Sequence, residues 1–452
     1  MPIAVEHTVQ AIVAVVQTVP VGTNIALMRL LWVMMSGGFL ASRGAVFGAL
    51  AGGGLDAVEV RRSWAALRNG AWEGNELLAN WQAHVASENR WRLRQYEGYS
   101  VLSVDMTGFW RPRLQGWLGR HFHSLAQRAL PAVVFGVLVV AGAVDGKRTP
   151  LLQRLVRCQP GTDKATFRQQ LLCEAQRQAQ PRQVLVMDAE FTLSEVQAAQ
   201  VAHYVVRQAV NCTLRRNVLP PAKGRGRKAQ YGELVRPLAR QRKGQTLPAT
   251  PADVESQFVQ DGRTIRVQTW YNLVTAKTPV APVAPVAGAA GAAGAAAATF
   301  VIHVFHDPCY QQPLVLATNL VAAQPQTAYR IYRDRWTVEQ APLAAKQMVG
   351  LHRQFVFAPE SCFRLPELSL IAGAMLAYSA AVAPPIPTGF WDRSPAPTPG
   401  RLRRLLRSVD FASLPLNDPQ LRKKNAVTDH LPKGIHAHRR SKPHPLPVFT
   451  GN

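Results

Sequence analysis

The sequence lacks any Cys-x-x-Cys pair: its five cysteines, Cys158, Cys173, Cys212, Cys309 and Cys362, are scattered. That excludes the common zinc modules and a disulfide framework, and it fits a reducing cytoplasm. The opening MPIAVEHTVQ has no basic n-region and carries Glu6, so no secretory signal is expected. Uninterrupted apolar runs of about 20 residues are missing too. The most apolar stretch, NIALMRLLWVMMSGGFLA, is broken by Arg29 and by Gly37-Gly38, and reads as a buried helix. No membrane association is expected. Acid is scarce: 27 Asp+Glu stand against 52 Lys+Arg, for a net charge of +25. A protein this basic is expected to meet a polyanion, with nucleic acid as the commonest one.

What is present supports a folded protein. Hydrophobic residues make up 47% of 452 positions, enough for a core and for two to four structural units. Residues up to about 95 read as helical. Within them, a short apolar helix, a triple glycine and a helix opened by Asp56 give the outline of a helix-turn-helix. Arg61 and Arg62 project from its second helix as DNA-binding candidates. Any helical hairpin with a glycine turn has the same pattern, so both readings stand.

From Tyr99 the pattern changes to strands. SVLSVDMTGFW reads as a strand ending in a loop, VVFGVLVVAGAVDG as a buried central strand, and KRTPLLQRLVR as a third. An amphipathic helix (DKATFRQQLLCEAQRQA), a strand (QVLVMD), a short helix and a further strand (HYVVRQAV) follow. Three strands, helix, strand, helix, strand is the order of the RNase H-like α/β fold. The pattern breaks between about 213 and 312, which is rich in turns and charge and includes strand-like pieces. It also holds the period-three run PVAPVAPVAGAAGAAGAAAA, expected to be a flexible loop. Regular structure returns with the strand QPLVLATNL and a long helix from about 325 to 349. After Arg364 come an apolar helix and a Pro- and Arg-rich tail, suited to nonspecific phosphate contact.

Asp105 and Asp188 stand at strand ends, where a rigid backbone presents a carboxylate to a crevice. A turn residue or helix cap is the plain alternative for either. In AYRIYRDRWTVEQAPLAAKQMVGLHR, Tyr332, Arg335, Glu339 and Lys346 lie at offsets 0, 3, 7 and 14. On a continuous helix they fall at roughly 0°, 300°, 340° and 320°, in one narrow stripe. An acid, two cations and a phenol on one stripe suit a phosphodiester site. A solvated face with an Arg335–Glu339 pair has the same spacing.

Tyr-x2-Arg-x3-Glu-x6-Lys is the signature of the "insertion sequence four" superfamily of bacterial transposases, and residues 95 to 360 resemble that family. Asp105 in VDMTGFW and Asp188 in VMDAEFT resemble its two catalytic aspartates, and Glu339 its glutamate. The resemblance implies an RNase H-like core in two parts, 96–212 and 313–362, interrupted by a β-rich insertion over 213–312. A helical DNA-binding domain over 1–95 precedes it, and a C-terminal helix with a basic tail over 363–452 follows. It implies Mg²⁺-dependent DNA cleavage and strand transfer, with two Mg²⁺ ions (or Mn²⁺ as a substitute) held by Asp105, Asp188 and Glu339. Tyr332, Arg335 and Lys346 would hold DNA phosphate. The implied partners are transposon ends, target DNA and a second copy in the synaptic complex, within the nucleoid. Trp270 is a candidate platform for a flipped base, with a core tryptophan as its alternative. Glu190, Asp307 and Asp334 lie near the motifs but are expected to point elsewhere. The basic run from Arg215 to Lys243 reads either as a grip on DNA or as a solvated loop. An inactive DNA-binding relic, or an RNase H-like nuclease without strand transfer, fits the same acids.

Overall fold

The apolar run AVVFGVLVV lacks alternation because it lies in a strand with neighbours on both edges and helices over both faces. It belongs to β2 (Arg128–Val140), which pairs antiparallel with β1 (Tyr99–Trp110) on one edge and β3 (Leu151–Arg157) on the other. β4 (Gln183–Met187) lies parallel to β1, and β5 (Tyr204–Gln208) parallel to β4. The order is therefore β3-β2-β1-β4-β5. The computed structural model describes residues 2–221, 229–280, 298–414 and 421, and the fold is mixed α/β. The period-three run lies almost wholly outside the described residues, as do 222–228 of the basic run and most of the C-terminal tail.

The sheet does not stop at β5. Four more strands are β6 (Val254–Gln260), β7 (Arg263–Thr275), β8 (Phe300–His306) and β9 (Leu314–Thr318). β9 pairs antiparallel with β5, then β8 with β9, β7 with β8 and β6 with β7. The β6–β7 hairpin turns at Asp261-Gly262, where φ is +52° and +75°. A type I′ turn needs two such positive values, and Asp-Gly supplies them at little cost. Most strands of the segment 213–312 thus extend the central sheet, while Arg240–Arg242 and Gln245–Leu247 pair in a separate two-stranded ribbon.

Alternation along β1 and β4 sends side chains to two different layers. Leu102, Val104, Met106, Leu185 and Met187 pack with Phe167 and Leu171 of helix α5 (Lys164–Gln178). Val101, Val184 and Val186 pack with Tyr329, Ile331 and Tyr332 of helix α7 (Pro325–Arg333). Helix α6 (Leu193–Ala198) joins the α5 side through Val196.

The N-terminal layer contains α1 (Ile3–Val16), α2 (Thr23–Met35), α3 (Ala57–Asn69) and α4 (Gly74–Ser87). Asp56 caps α3 by accepting from the N–H groups of Val58 and Glu59, and Glu59 reciprocates on the Asp56 N–H. This capping box satisfies otherwise orphaned donors. In α2 every residue from Asn24 to Met35 is buried. Its one charge, Arg29, pairs with Glu59 of α3. One continuous apolar cluster joins this layer to Phe109, Val133 and Phe135 of the sheet and to a later helix, Pro359–Val382. That helix is long and apolar enough to cross a membrane, yet 89% of its apolar window is buried inside the fold.

Candidate active site

β1 and β4 run side by side, and the last pair in their register is Ser103 with Val186. Asp105 and Asp188 each stand two residues further along, on the same face as Val101 and Val184. Neighbouring strands are about 4.8 Å apart, so the two carboxylates face one another where the parallel ladder ends. The strand carrying Asp105 does not end in a loop at that point, as the sequence suggested. It continues to Trp110 because β2 keeps pairing with it as far as Ala132. The opening beside Asp105 exists because β4 stops, while β1 goes on. The N–H of Met106 donates to Asp105 Oδ1 at 2.7 Å, and that of Glu190 donates to Asp188 Oδ1 at 2.9 Å.

The element bearing the third acid departs from the expected single helix. After α7 the chain tightens into a 3-10 turn (Asp334–Trp336), resumes as α8 (Thr337–Leu343), and widens into a π turn (Ala344–Met348). Two local causes are visible. The Thr337 hydroxyl donates to the Asp334 carbonyl at 2.7 Å, competing with the helical ladder. Pro342, inside α8, has no N–H to give. Over-winding in one turn and under-winding in the other act in opposite directions on the stripe, so its residues still converge.

Arg335 is the centre of that convergence. Its Nη2 donates to Glu339 Oε1 at 3.0 Å, while Nη1 lies 3.6 Å from Asp105 Oδ2. The guanidinium also sits over the rings of Tyr332 (5.8 Å) and Trp336 (5.5 Å). Lys346 donates from Nζ to the Thr107 hydroxyl at 2.8 Å and lies over the Phe109 and Trp110 rings. Asp105, Thr107, Trp336, Glu339 and Lys346 line an open cleft of about 400 Å³. Asp188, Tyr332 and Arg335 lie outside its lining.

The charges are unbalanced. Burial, then the nearby Asp188, pushes the Asp105 pKa up to about 7, with Glu339 adding to the rise. The Met106 N–H and Arg335 oppose this without cancelling it. Burial lowers Lys346 to about 8 against the attraction of Asp105. Three carboxylates with one close guanidinium leave a deficit of positive charge. An all-oxygen donor set of this kind suits a hard divalent cation such as Mg²⁺ or Mn²⁺.

Other acids nearby are occupied. Asp334 is fully buried and bound to Arg94 and Tyr96, and Asp307 is held by Arg263 and Tyr329. Glu190 pairs with Lys164. Arg61 and Arg62 are exposed on α3, outside the lining of this cleft.

Two candidates with open alternatives are narrowed, the basic run only at Arg215 and Arg216. Trp270 is 1% exposed and donates its ring N–H to the Pro251 carbonyl at 2.8 Å, so it is a core residue with no face for a base. In the basic run, Arg215 is tied to the carbonyls of Ala276 and Gly232, and Arg216 pairs with Asp253. Their guanidiniums hold the strands together. What sequence reading missed is the partnership of Asp334 with Arg94 and Tyr96, 240 and 238 residues away, for which no local pattern gives a signal. No protein-family model matches the chain, and no curated protein matches it in sequence.

Proposed function

We propose that the chain is a DNA transposase that cleaves phosphodiester bonds at transposon ends and joins the freed 3′-hydroxyls to target DNA. The observation that carries this reading is Arg335 placed between Glu339 and Asp105, with Asp188 facing Asp105 across the end of β4. The order β3-β2-β1-β4-β5, with only β2 reversed, supports an RNase H-like core, and the strands beyond β5 fill the role of its insertion. The net charge of +25 supports a DNA partner.

Asp105, Asp188 and Glu339 would hold two Mg²⁺ ions, which when bound lower the pKa of an attacking oxygen and offset charge on the phosphate. Arg335 keeps Glu339 turned toward Asp105 and limits the repulsion among the acids. Lys346, at the cleft, offers a cation to a phosphate oxygen, and Thr107 fixes its direction. Tyr332 braces Arg335 from the α7 side. Arg61 and Arg62 on the outer face of α3 offer phosphate contacts remote from the chemistry. Two copies would act together on paired ends.

The test is a labelled duplex carrying the element's own ends, incubated with Mg²⁺ and either the wild type or Glu339→Ala. Metal-dependent 3′-hydroxyl release and joined products, absent in the variant, are expected. Cutting without joining would make the protein a nuclease. Tight binding without cutting would make it a relic, and cutting that survives Glu339→Ala would place the chemistry elsewhere.

A further inference from the structure

We infer that His7, His84 and Glu88 form a zinc site, remote in sequence from the acid cluster, that ties α1 to α4 and to the helix α9 (Pro359–Val382). His7 is far along the chain from His84 and Glu88, yet one donor atom from each of the three lies within 4.8 Å of the others. His84 and Glu88 are one helical turn apart on α4 and its cap, so their side chains share a face. His7 reaches them from α1.

The polar bookkeeping of this cluster is incomplete. His84 Nε2 is buried with no hydrogen-bond partner, and so is His7 Nδ1. The first of these stands 3.5 Å from Glu88 Oε1, close enough for an ion pair but without hydrogen-bond alignment. A buried ring nitrogen left bare beside a carboxylate is costly in a protein interior. A cation bound by His84 Nε2 removes that cost. Two ligands on a tetrahedral zinc, each about 2.0 Å from it, are about 3.3 Å apart, close to the separation of His84 from Glu88. His7 Nε2 is now hydrogen-bonded to Glu88 and would move outward to share the ion.

The donor set selects the metal. Two imidazoles and one carboxylate suit Zn²⁺, whereas Mg²⁺ prefers oxygen alone. The other oxygen of Glu88 accepts from the Tyr378 hydroxyl at 2.6 Å, the kind of outer hydrogen bond that fixes a ligating carboxylate. Tyr378 lies on α9, and its ring meets Trp81 of α4 edge-on at 5.2 Å. A zinc ion here therefore joins three helices of the N-terminal layer and core. The side chains are 20%, 12% and 16% exposed, which leaves water a path to the fourth position.

The experiment counts zinc retained by the full-length protein after Zn²⁺ loading in excess Mg²⁺ and desalting. About one ion per chain is expected in the wild type and in Glu339→Ala, which lacks one acid of the candidate active site. His84→Gln and His7→Gln should retain none, and Tyr378→Phe should bind about 10- to 100-fold more weakly. Co²⁺ loaded into the wild type should give the visible bands of a tetrahedral nitrogen–oxygen site, a readout independent of any variant's folding. Absence of retained zinc and of those bands in the wild type, or retention unchanged in folded histidine variants, overturns the proposal. Loss of zinc in Glu339→Ala alone would assign it to the acid cluster and also overturn it.

Discussion

Arg94 donates from Nε to the buried carboxylate of Asp334 at 3.0 Å, and this pair anchors the turn on which Arg335 is aimed. The same carboxylate oxygen accepts from the Tyr96 hydroxyl at 2.8 Å, and Arg148 Nε lies 3.0 Å from the other. Asp334 is thus pulled toward Arg94 and Tyr96, in the segment that precedes β1, and the helix tightens where it follows. Arg335, one residue on, leaves that turn toward Asp105 and Glu339. Its position depends on a residue that itself faces away from the cleft.

Replacing Asp334 by alanine leaves Arg94 and Arg148 without their partner. Breaking a buried ion pair costs about 3–5 kcal/mol, and the partial exposure of both arginines puts the expected loss near the lower end. Asp334→Asn keeps the shape and part of the hydrogen bonding, so its cost should be smaller. DNA cleavage should fall in both variants even where the protein is folded, because Arg335 loses its support. Urea unfolding with far-ultraviolet dichroism measures the first effect; a cost below about 1 kcal/mol for Asp334→Ala would remove Asp334 as the anchor.

Asp105 gives the stability of the metal-free protein a pH dependence of definite sign. Its pKa is about 7 in the fold, against an ordinary value of 3.8, because burial and Asp188 disfavour the charge. The native state therefore keeps a proton that the unfolded chain releases. That contribution is complete below about pH 4 and is lost as the pH rises through about 7. Asp105→Asn should melt higher than the wild type at pH 8 in chelator and equally near pH 4. Mg²⁺ at pH 8 should raise the melting temperature of the wild type more than that of Asp105→Asn. Equal melting of the two proteins at both pH values in chelator would mean that Asp105 is not crowded.

Much of this arrangement was legible because it is local. Alternation over VLSVD and the apolar run of QVLVMD place Asp105 and Asp188 at the ends of strands, and the cap at Asp56 marks a helix start. The long β1, the break in the helix at Asp334 and the extension of the sheet by β7 and β8 were not legible. Each depends on a partner far along the chain: β2 for Trp110, Arg94 for Asp334, and β9 for the sheet extension. Spacing gave the right neighbours for Arg335 and Glu339, although the helix joining them is not uniform. Of the two readings open for Trp270 the core one holds, and it took the fold to separate them because aromatic character alone says nothing about exposure.

Trp270 should behave as a packing residue. Its ring is enclosed with Phe300 and Ile302 beneath the Pro251 carbonyl. Trp270→Ala is expected to cost about 3–5 kcal/mol. Trp270→Phe should cost less, losing the ring N–H bond and some contact. Neither should change which duplex sequence or end structure is preferred, once stability is matched by temperature. A specific loss of binding to DNA with an unpaired base in a fully folded Trp270→Phe would restore the stacking role.

Lys346 offers the sharpest test of whether the cleft holds phosphate. Its ammonium is fixed by Thr107 and two aromatic faces, so substitution to methionine keeps the stem and removes the charge. A cation that contacts one phosphate contributes about one counterion to the salt dependence, so the slope of log K against log salt should fall by about one in Lys346→Met. The weakening should be the same across DNA sequences. Burial puts the Lys346 pKa at about 8, so the residue is charged below that pH and neutral above it. The gap between wild type and Lys346→Met in binding should therefore be full near pH 7 and close by about pH 9. Binding isotherms in chelator at three salt concentrations and two pH values decide it. A gap that persists at pH 9 would mean that Lys346 acts through packing, and identical slopes would mean that DNA does not enter this cleft.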